Sequence, residues 1–131
     1  MNTMKNFFNF MKTKCEGSSV IKGELIAPAH DIVPKVRSGK RGYEDVNFED
    51  YVNSIGNLGK KFDVVVIDGR ARCACLKVAI GYLNTGGMII FDNSNRKRYS
   101  ECLERYKTKS RVFRGWAPTL PYKDETTIIE F

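Results

Sequence analysis

The chain has 131 residues, of which 42% are hydrophobic and 28% charged, with a formal net charge of +7. This describes one globular domain and excludes collagen-like, low-complexity and wholly disordered chains, and no apolar run approaches the roughly 20 residues of a membrane span. The positive balance favours anionic partners, such as nucleic acid, phosphorylated metabolites or an anionic surface, and it also serves solubility.

Residues 1–19 read as a polar tail or short helix with Phe7, Phe8 and Phe10 scattered along it. The stretch from Met1 to Met11 has no long apolar core, and no small-residue cleavage site follows, so a signal peptide is not expected. Residues 20–131 form the domain. Val20–Ala27 alternates loosely and predicts a strand ending at Pro28. Residues 34–45 are basic and glycine-rich and predict a loop. Asn47 is set to cap a short helix through Phe48, Tyr51, Val52 and Ile55, which Gly56 and Gly59 end. Residues 63–68 (DVVVID) predict a strand buried on both faces, as in a parallel sheet. A helix over 71–83 follows, broken by Asn84-Thr85-Gly86-Gly87. Residues 88–91 (MIIF) predict a second apolar strand, closed by Asp92-Asn93. Another helix is expected over 95–107, then two strands near 111–116 and 126–131 joined by a Pro-containing turn. The order implies an α/β sheet with parallel crossovers and an antiparallel final pair.

Cys15, Cys73, Cys75 and Cys102 do not have zinc-knuckle spacing and do not form a disulfide framework for a chain this long. They predict buried thiols in a reducing, cytoplasmic compartment.

In open α/β sheets, ligands bind beyond the carboxyl ends of the strands. Asp68 ends the first apolar strand, and Asp92 and Asn93 end the second, one crossover later. Neighbouring strands lie about 4.8 Å apart, so these side chains are expected on one rim. Two carboxylates and an amide oxygen form a hard donor set suited to Mg²⁺ or Ca²⁺. The same residues are also suited to cap the helices that follow them.

The segment FDVVVIDGRARCACLKVAIGYLNTGGMIIFDNSNRKRY (62–99) resembles the second half of a class I S-adenosylmethionine-dependent methyltransferase. The resemblance rests on the strand ending in Asp68-Gly69, the Leu83–Gly87 turn and the strand ending in Asp92-Asn93. The ending, Gly115–Pro118 and then Thr126–Ile129, extends it to about residues 46–131. It implies a partial Rossmann-like sheet of mainly parallel strands, with an antiparallel C-terminal pair. Asp68 would be catalytic, and Asp68 and Gly69 would contact S-adenosylmethionine. By similarity to the metal-dependent O-methyltransferases, Asp68, Asp92 and Asn93 would hold Mg²⁺. The acceptor would be a small-molecule or sugar hydroxyl.

The family's glycine-rich turn after its first strand has no counterpart here, and Glu16-Gly17-Ser18-Ser19 is at most a remnant of it. The expectation is therefore a truncated domain that is inactive alone, or one that a partner chain or homo-oligomer completes. The alternative is a non-enzymatic remnant that binds protein or anions.

His30 is the single histidine, with no visible partner. Arg70 and Arg72 either pair with Asp68 or a neighbouring acid, or bind an anionic acceptor. Lys35, Arg37, Lys40, Arg41 and Arg96–Arg98, with Tyr43, Tyr99 and Trp116, form a candidate nucleic-acid patch, but no single-strand-binding or helix-turn-helix signature accompanies them and a solvated face is the favoured reading. Trp116 is expected to be a packing residue.

Overall fold

The computed structural model describes residues 2–117 and 121–131. Helix α1 spans Asn2–Cys15. The strand expected over Val20–Ala27 does not form. The first pairing is a two-residue ribbon, β1 (Ala29–His30) antiparallel to β2 (Val46–Asn47). Helix α2 (Glu49–Asn53) follows β2, and Asn47 supports its start from one residue outside the cap position. The Asn47 side-chain oxygen accepts from the backbone N–H of Glu49 at 3.1 Å and of Val36 at 3.2 Å, tying the preceding loop to the helix.

The main sheet contains β3 (Phe62–Ile67), β4 (Leu83–Phe91), β5 (Ser110–Trp116) and β6 (Lys123–Glu130), in the order β3-β4-β6-β5. This corrects the expectation of a mainly parallel Rossmann-like sheet. Only β3 and β4 are parallel; β4–β6 and β6–β5 are both antiparallel. The cause is the last hairpin. After β5 the chain reverses through the Pro-containing turn, and β6 inserts beside β4, so one returning strand makes two antiparallel ladders. Pro118 of that turn lies outside the described residues.

Helix α3 (Arg72–Ala79) is the crossover between β3 and β4, continued by a tight turn over Ile80–Tyr82. The helix expected over 95–107 is broken into a short turn at Lys97–Tyr99, α4 (Ser100–Glu104) and a turn at Lys107–Lys109. The Gly-Gly pair falls inside β4. Registers Phe62↔Leu83 and Val64↔Met88 leave residues 84–87 as a bulge. A Cβ at Gly87 would lie 2.9 Å from the Asn84 carbonyl oxygen and 3.2 Å from that of Phe62, so only glycine fits there.

The core lies on one face of this sheet. Ile67, Ile89, Phe91 and Ile129 align by register and pack with Leu76 and Ala79 of α3 and with Tyr99. A second cluster joins Val46, Phe48, Val52 and Ala71. Strand β3 departs from expectation. The sequence predicts burial on both faces, but Val64 is 45% and Val66 63% exposed. The reason is position: β3 is an edge strand, and these two valines point away from α3. Trp116 also departs from expectation. It is 69% exposed, with the Lys123 ammonium 5.4 Å from its ring centre. Among the described residues no helix is long and apolar enough to cross a membrane.

Candidate functional site

The parallel pair brings its two carboxyl ends to one rim. The Asp92 amide donates to the Ile67 carbonyl at 3.2 Å, which sets the two strand tips side by side. Asp68 and Asp92 then meet over a single side chain, Arg72. Its Nη2 donates to Asp68 Oδ1 at 2.9 Å, and its Nη1 lies 4.0 Å from Asp92 Oδ2. Its remaining donors go to carbonyls: Nε to Gly69, Nη1 to Asp92 and Nη2 to Asp68. Arg72 is buried, while the Asp68 carboxylate is 67% exposed. The pairing expected between Arg72 and a neighbouring acid is therefore present. Arg70 instead stacks on Tyr43, at 5.1 Å from the ring centre.

The turn after β4 is anchored to the start of β6 by three polar side chains, Asp92, Asn93 and Ser94. Thr126 Oγ1 donates to Asp92 Oδ1 at 2.8 Å, Asn93 Nδ2 donates to Asp124 Oδ2 at 2.5 Å, and Ser94 Oγ donates to Glu125 Oε1 at 3.0 Å. Sequence reasoning missed Asp124 and Thr126 as partners, because no local pattern reports which strand will lie beside β4. Two non-glycine residues with positive φ flank this rim, Ala71 at 49° and Asn93 at 50°. Both stand where a strand hands over to the next segment. Backbone held in the left-handed region by non-glycine residues concentrates at functional sites.

These bonds bear on the ligands expected here. The rim carries two carboxylates with a guanidinium between them, and the Asn93 amide group is engaged with Asp124. A divalent cation would have to displace Arg72, and among the described residues no cluster of three His, Cys, Asp or Glu side chains forms a metal site. The rim as arranged does not fit Mg²⁺, so no step is routed through a metal. Gly69, set against S-adenosylmethionine by the resemblance, faces Tyr51; a Cβ there would lie 3.1 Å from Tyr51 Cζ. The space beside Gly69 is thus filled by this chain's own tyrosine. Burial raises the Tyr51 hydroxyl above its ordinary pKa, and the Cys75 thiol and the Asp68 carboxylate add to the shift.

Cys73 and Cys102 form a disulfide, where free thiols were expected, while Cys15 and Cys75 are free. The bond joins the first turn of α3 to α4, a contact across 29 residues of sequence that spacing does not reveal. Burial pushes the Cys75 thiol up to about 11. His30 lies away from the rim, with Nδ1 3.2 Å from Asp45 Oδ2 and both side chains exposed.

The basic loops are partly brought together. Arg37 and Arg98 border the same cavity of about 140 Å³, together with Ser38, Tyr99 and the first turn of α3. Comparison with protein-family models and with curated proteins finds no match to this chain.

Proposed function

We propose that the chain is a methyltransferase-like domain that supplies the acceptor side of an S-adenosylmethionine-dependent O-methyl transfer to a small-molecule or sugar hydroxyl. One observation carries this reading: Asp68 and Asp92 meet over Arg72 at the carboxyl ends of the parallel pair. In an α/β sheet that rim is where ligands bind. S-adenosylmethionine, when bound, supplies the methyl group. Asp68 has one oxygen fixed by Arg72 and a largely exposed carboxylate, so it is oriented to accept a hydrogen bond from the acceptor hydroxyl. Arg72 is a positioning residue, tying Asp68 to the backbone of both strand ends.

Tyr51 fills the space beside Gly69, so the cofactor pocket requires a second body. The free edge of β3, with Val64 and Val66 exposed, is the place for it, and a partner chain or a second copy would extend the sheet there. The reading assigns the cytoplasm, where thiol reductants would open the Cys73–Cys102 bond.

The test is isothermal titration with S-adenosylmethionine, alone and with Mg²⁺. Heat that disappears in Asp68→Ala supports the reading. No heat at about millimolar ligand, in the affinity range where weak cofactors bind, ends the enzyme reading for the isolated chain. A second reading is favoured by the way Asp92 and Asn93 are consumed by bonds to β6: a non-enzymatic module that binds protein or anions. It expects Asp68→Ala to leave binding intact and expects a salt-sensitive interaction.

A further inference from the structure

The Cys73–Cys102 bond lies on the wall of a surface cavity of about 550 Å³ between α3 and the α4 segment. Both cysteines are half-buried, and both line the cavity. The charged residues around them are Lys77, Arg98 and Arg105 against the single acid Glu101. Among the described residues none of these four forms an ion pair, so the balance of charge beside the sulfurs is positive. Helical spacing explains the arrangement. Lys77 stands four residues after Cys73 on α3, and Arg105 three residues after Cys102 at the end of α4, so each sulfur shares its face with a base.

A disulfide exchanges when a thiolate attacks one sulfur and the other sulfur departs as a thiolate. Attacking and departing groups are both anions, so positive surroundings assist the approach of the one and the release of the other. This effect needs net charge near the sulfurs and no fixed hydrogen bond. The two sulfurs are not equivalent. Cys73 is in the first turn of the eight-residue α3, where the positive helix end favours its thiolate, whereas Cys102 is at the centre of the five-residue α4. Cys73 is therefore the better leaving group, and Cys102 is the sulfur attacked.

The chain's own thiols are placed elsewhere. Cys75 turns to another side of α3: its Sγ–H donates to the Arg70 carbonyl at 3.6 Å, and it borders a separate cavity with Tyr51 and Ile67. No residue of α1, which carries Cys15, borders the disulfide cavity among the described residues. The attacking thiol consequently comes from outside the chain.

We propose that the Cys73–Cys102 bond is a reversible modification site for acidic low-molecular-weight thiols, the class to which glutathione belongs. The thiolate RS⁻ attacks Cys102 Sγ. A new S–S bond forms there, the Cys73–Cys102 bond breaks, and its electron pair leaves on Cys73 Sγ. The product is a mixed disulfide at Cys102 and a thiolate at Cys73, with no net change in oxidation. Return attack by Cys73 on Cys102 restores the original bond and releases RS⁻. Attack of a second RS⁻ on the adduct instead yields RSSR and two protein thiolates, so the thiols are oxidised as the protein is reduced. Leu103 and Tyr106, which flank this part of α4, pack against the sheet core and keep Cys102 seated opposite Cys73 for re-closure. The site is independent of methyl transfer. A failed cofactor titration leaves it untouched, and a failed exchange leaves the methyl-transfer reading untouched.

The experiment uses the full chain, oxidised by dialysis against glutathione disulfide and then freed of it. The oxidised chain is mixed near pH 8 with millimolar glutathione, cysteamine or 2-mercaptoethanol, and acid-quenched samples are alkylated and peptide-mapped by mass spectrometry. At equal thiolate concentration and low salt, glutathione should open the bond at least about threefold faster than cationic cysteamine, and molar salt should erase the difference. Lys77→Gln combined with Arg105→Gln, both at exposed positions, should slow glutathione at least about threefold relative to uncharged 2-mercaptoethanol. Circular dichroism checks that the variant is folded. The first adduct should map to Cys102 with Cys73 alkylated, and Cys75→Ser should leave both the rate and the map unchanged. The proposal is overturned if oxidation does not yield the Cys73–Cys102 bond, or if glutathione leaves it closed while dithiothreitol opens it. Equal rates for glutathione and cysteamine at low salt, an adduct arising first at Cys73, or a dependence on Cys75 would overturn it as well.

Discussion

β3 and β4 are neighbours that each carry a four-residue apolar run, Val64–Ile67 and Met88–Phe91, yet they occupy different environments. In β4, Ile89 and Phe91 are wholly buried, while in β3, Val64 and Val66 are 45% and 63% exposed. An apolar, β-branched run makes a strand in both cases. What differs is what lies on either side. β4 is flanked by β3 and β6, and its Ile89 and Phe91 point under α3; β3 has one neighbour, and its alternate valines face outward. Burial is a property of place in the sheet, and composition only permits it. The far edge of the same sheet makes the point from the other side. On β5, Arg111 pairs with Glu130 and Arg114 with Glu125 across the β6 ladder. Charges of this kind discourage further strand pairing, and the middle of β3 has none.

The contrast is broken most severely at its buried end. Phe91→Ala should cost about 3–5 kcal/mol in chemical denaturation, because it opens a cavity between α3 and Tyr99. A loss under about 1 kcal/mol would mean that the centre of the sheet is no better packed than its edge. Next comes Arg72→Ala, which removes the guanidinium tying the ends of the two strands together and strands its buried carbonyl partners. It should cost about 3 kcal/mol, and Arg72→Lys should recover little of it, since a single ammonium cannot reach the three backbone carbonyls and Asp68.

On the open side, Val66→Ala should cost less than about 1 kcal/mol. Val66→Asp should be equally mild for the monomer but should abolish self-association in sedimentation velocity if a second copy pairs along β3. Persistence of an associated species in Val66→Asp would move the interface elsewhere. The smallest effect is expected from pH. Burial raises the Cys75 thiol from 9.0 to about 11, so the folded state holds this proton more tightly than the unfolded chain does. That contribution is fully present below about pH 9 and is lost as pH rises toward about 11. Cys75→Ser should flatten this slope in an alkaline melting series. A thiol reagent at pH 8 should label Cys15 before Cys75.

Much of the second half was legible. The run over 63–68, the crossover helix and the strand ending in Asp92-Asn93 each carry a local signal, and the pairing of Arg72 with Asp68 is one of the two roles that its place just after Asp68 allows. Strand order was not legible. Thr126–Ile129 reads as the same β-branched strand whether it pairs with β4 or only with β5, so the insertion of β6 and the resulting antiparallel majority leave no local mark. The same holds for the bonds of Asp92, Asn93 and Ser94 to residues 124–126. The cavity of Arg37, Ser38 and Arg98 joins segments far apart in sequence. Composition supplied its charges but not their meeting point. The Val20–Ala27 strand failed for the opposite reason. Its alternation was real but found no partner strand, and alternation alone cannot supply a ladder.

Trp116, the single tryptophan, sits on an edge strand near the last turn with most of its surface in water. Its emission therefore has little native-state shift to lose, and a fluorescence melt of this protein would follow the hairpin's local solvent more than the loss of its interior. The absorbance and near-ultraviolet dichroism of Tyr99, wedged edge-on against Phe91 at 5.3 Å between ring centres, is the optical probe that reads the whole fold.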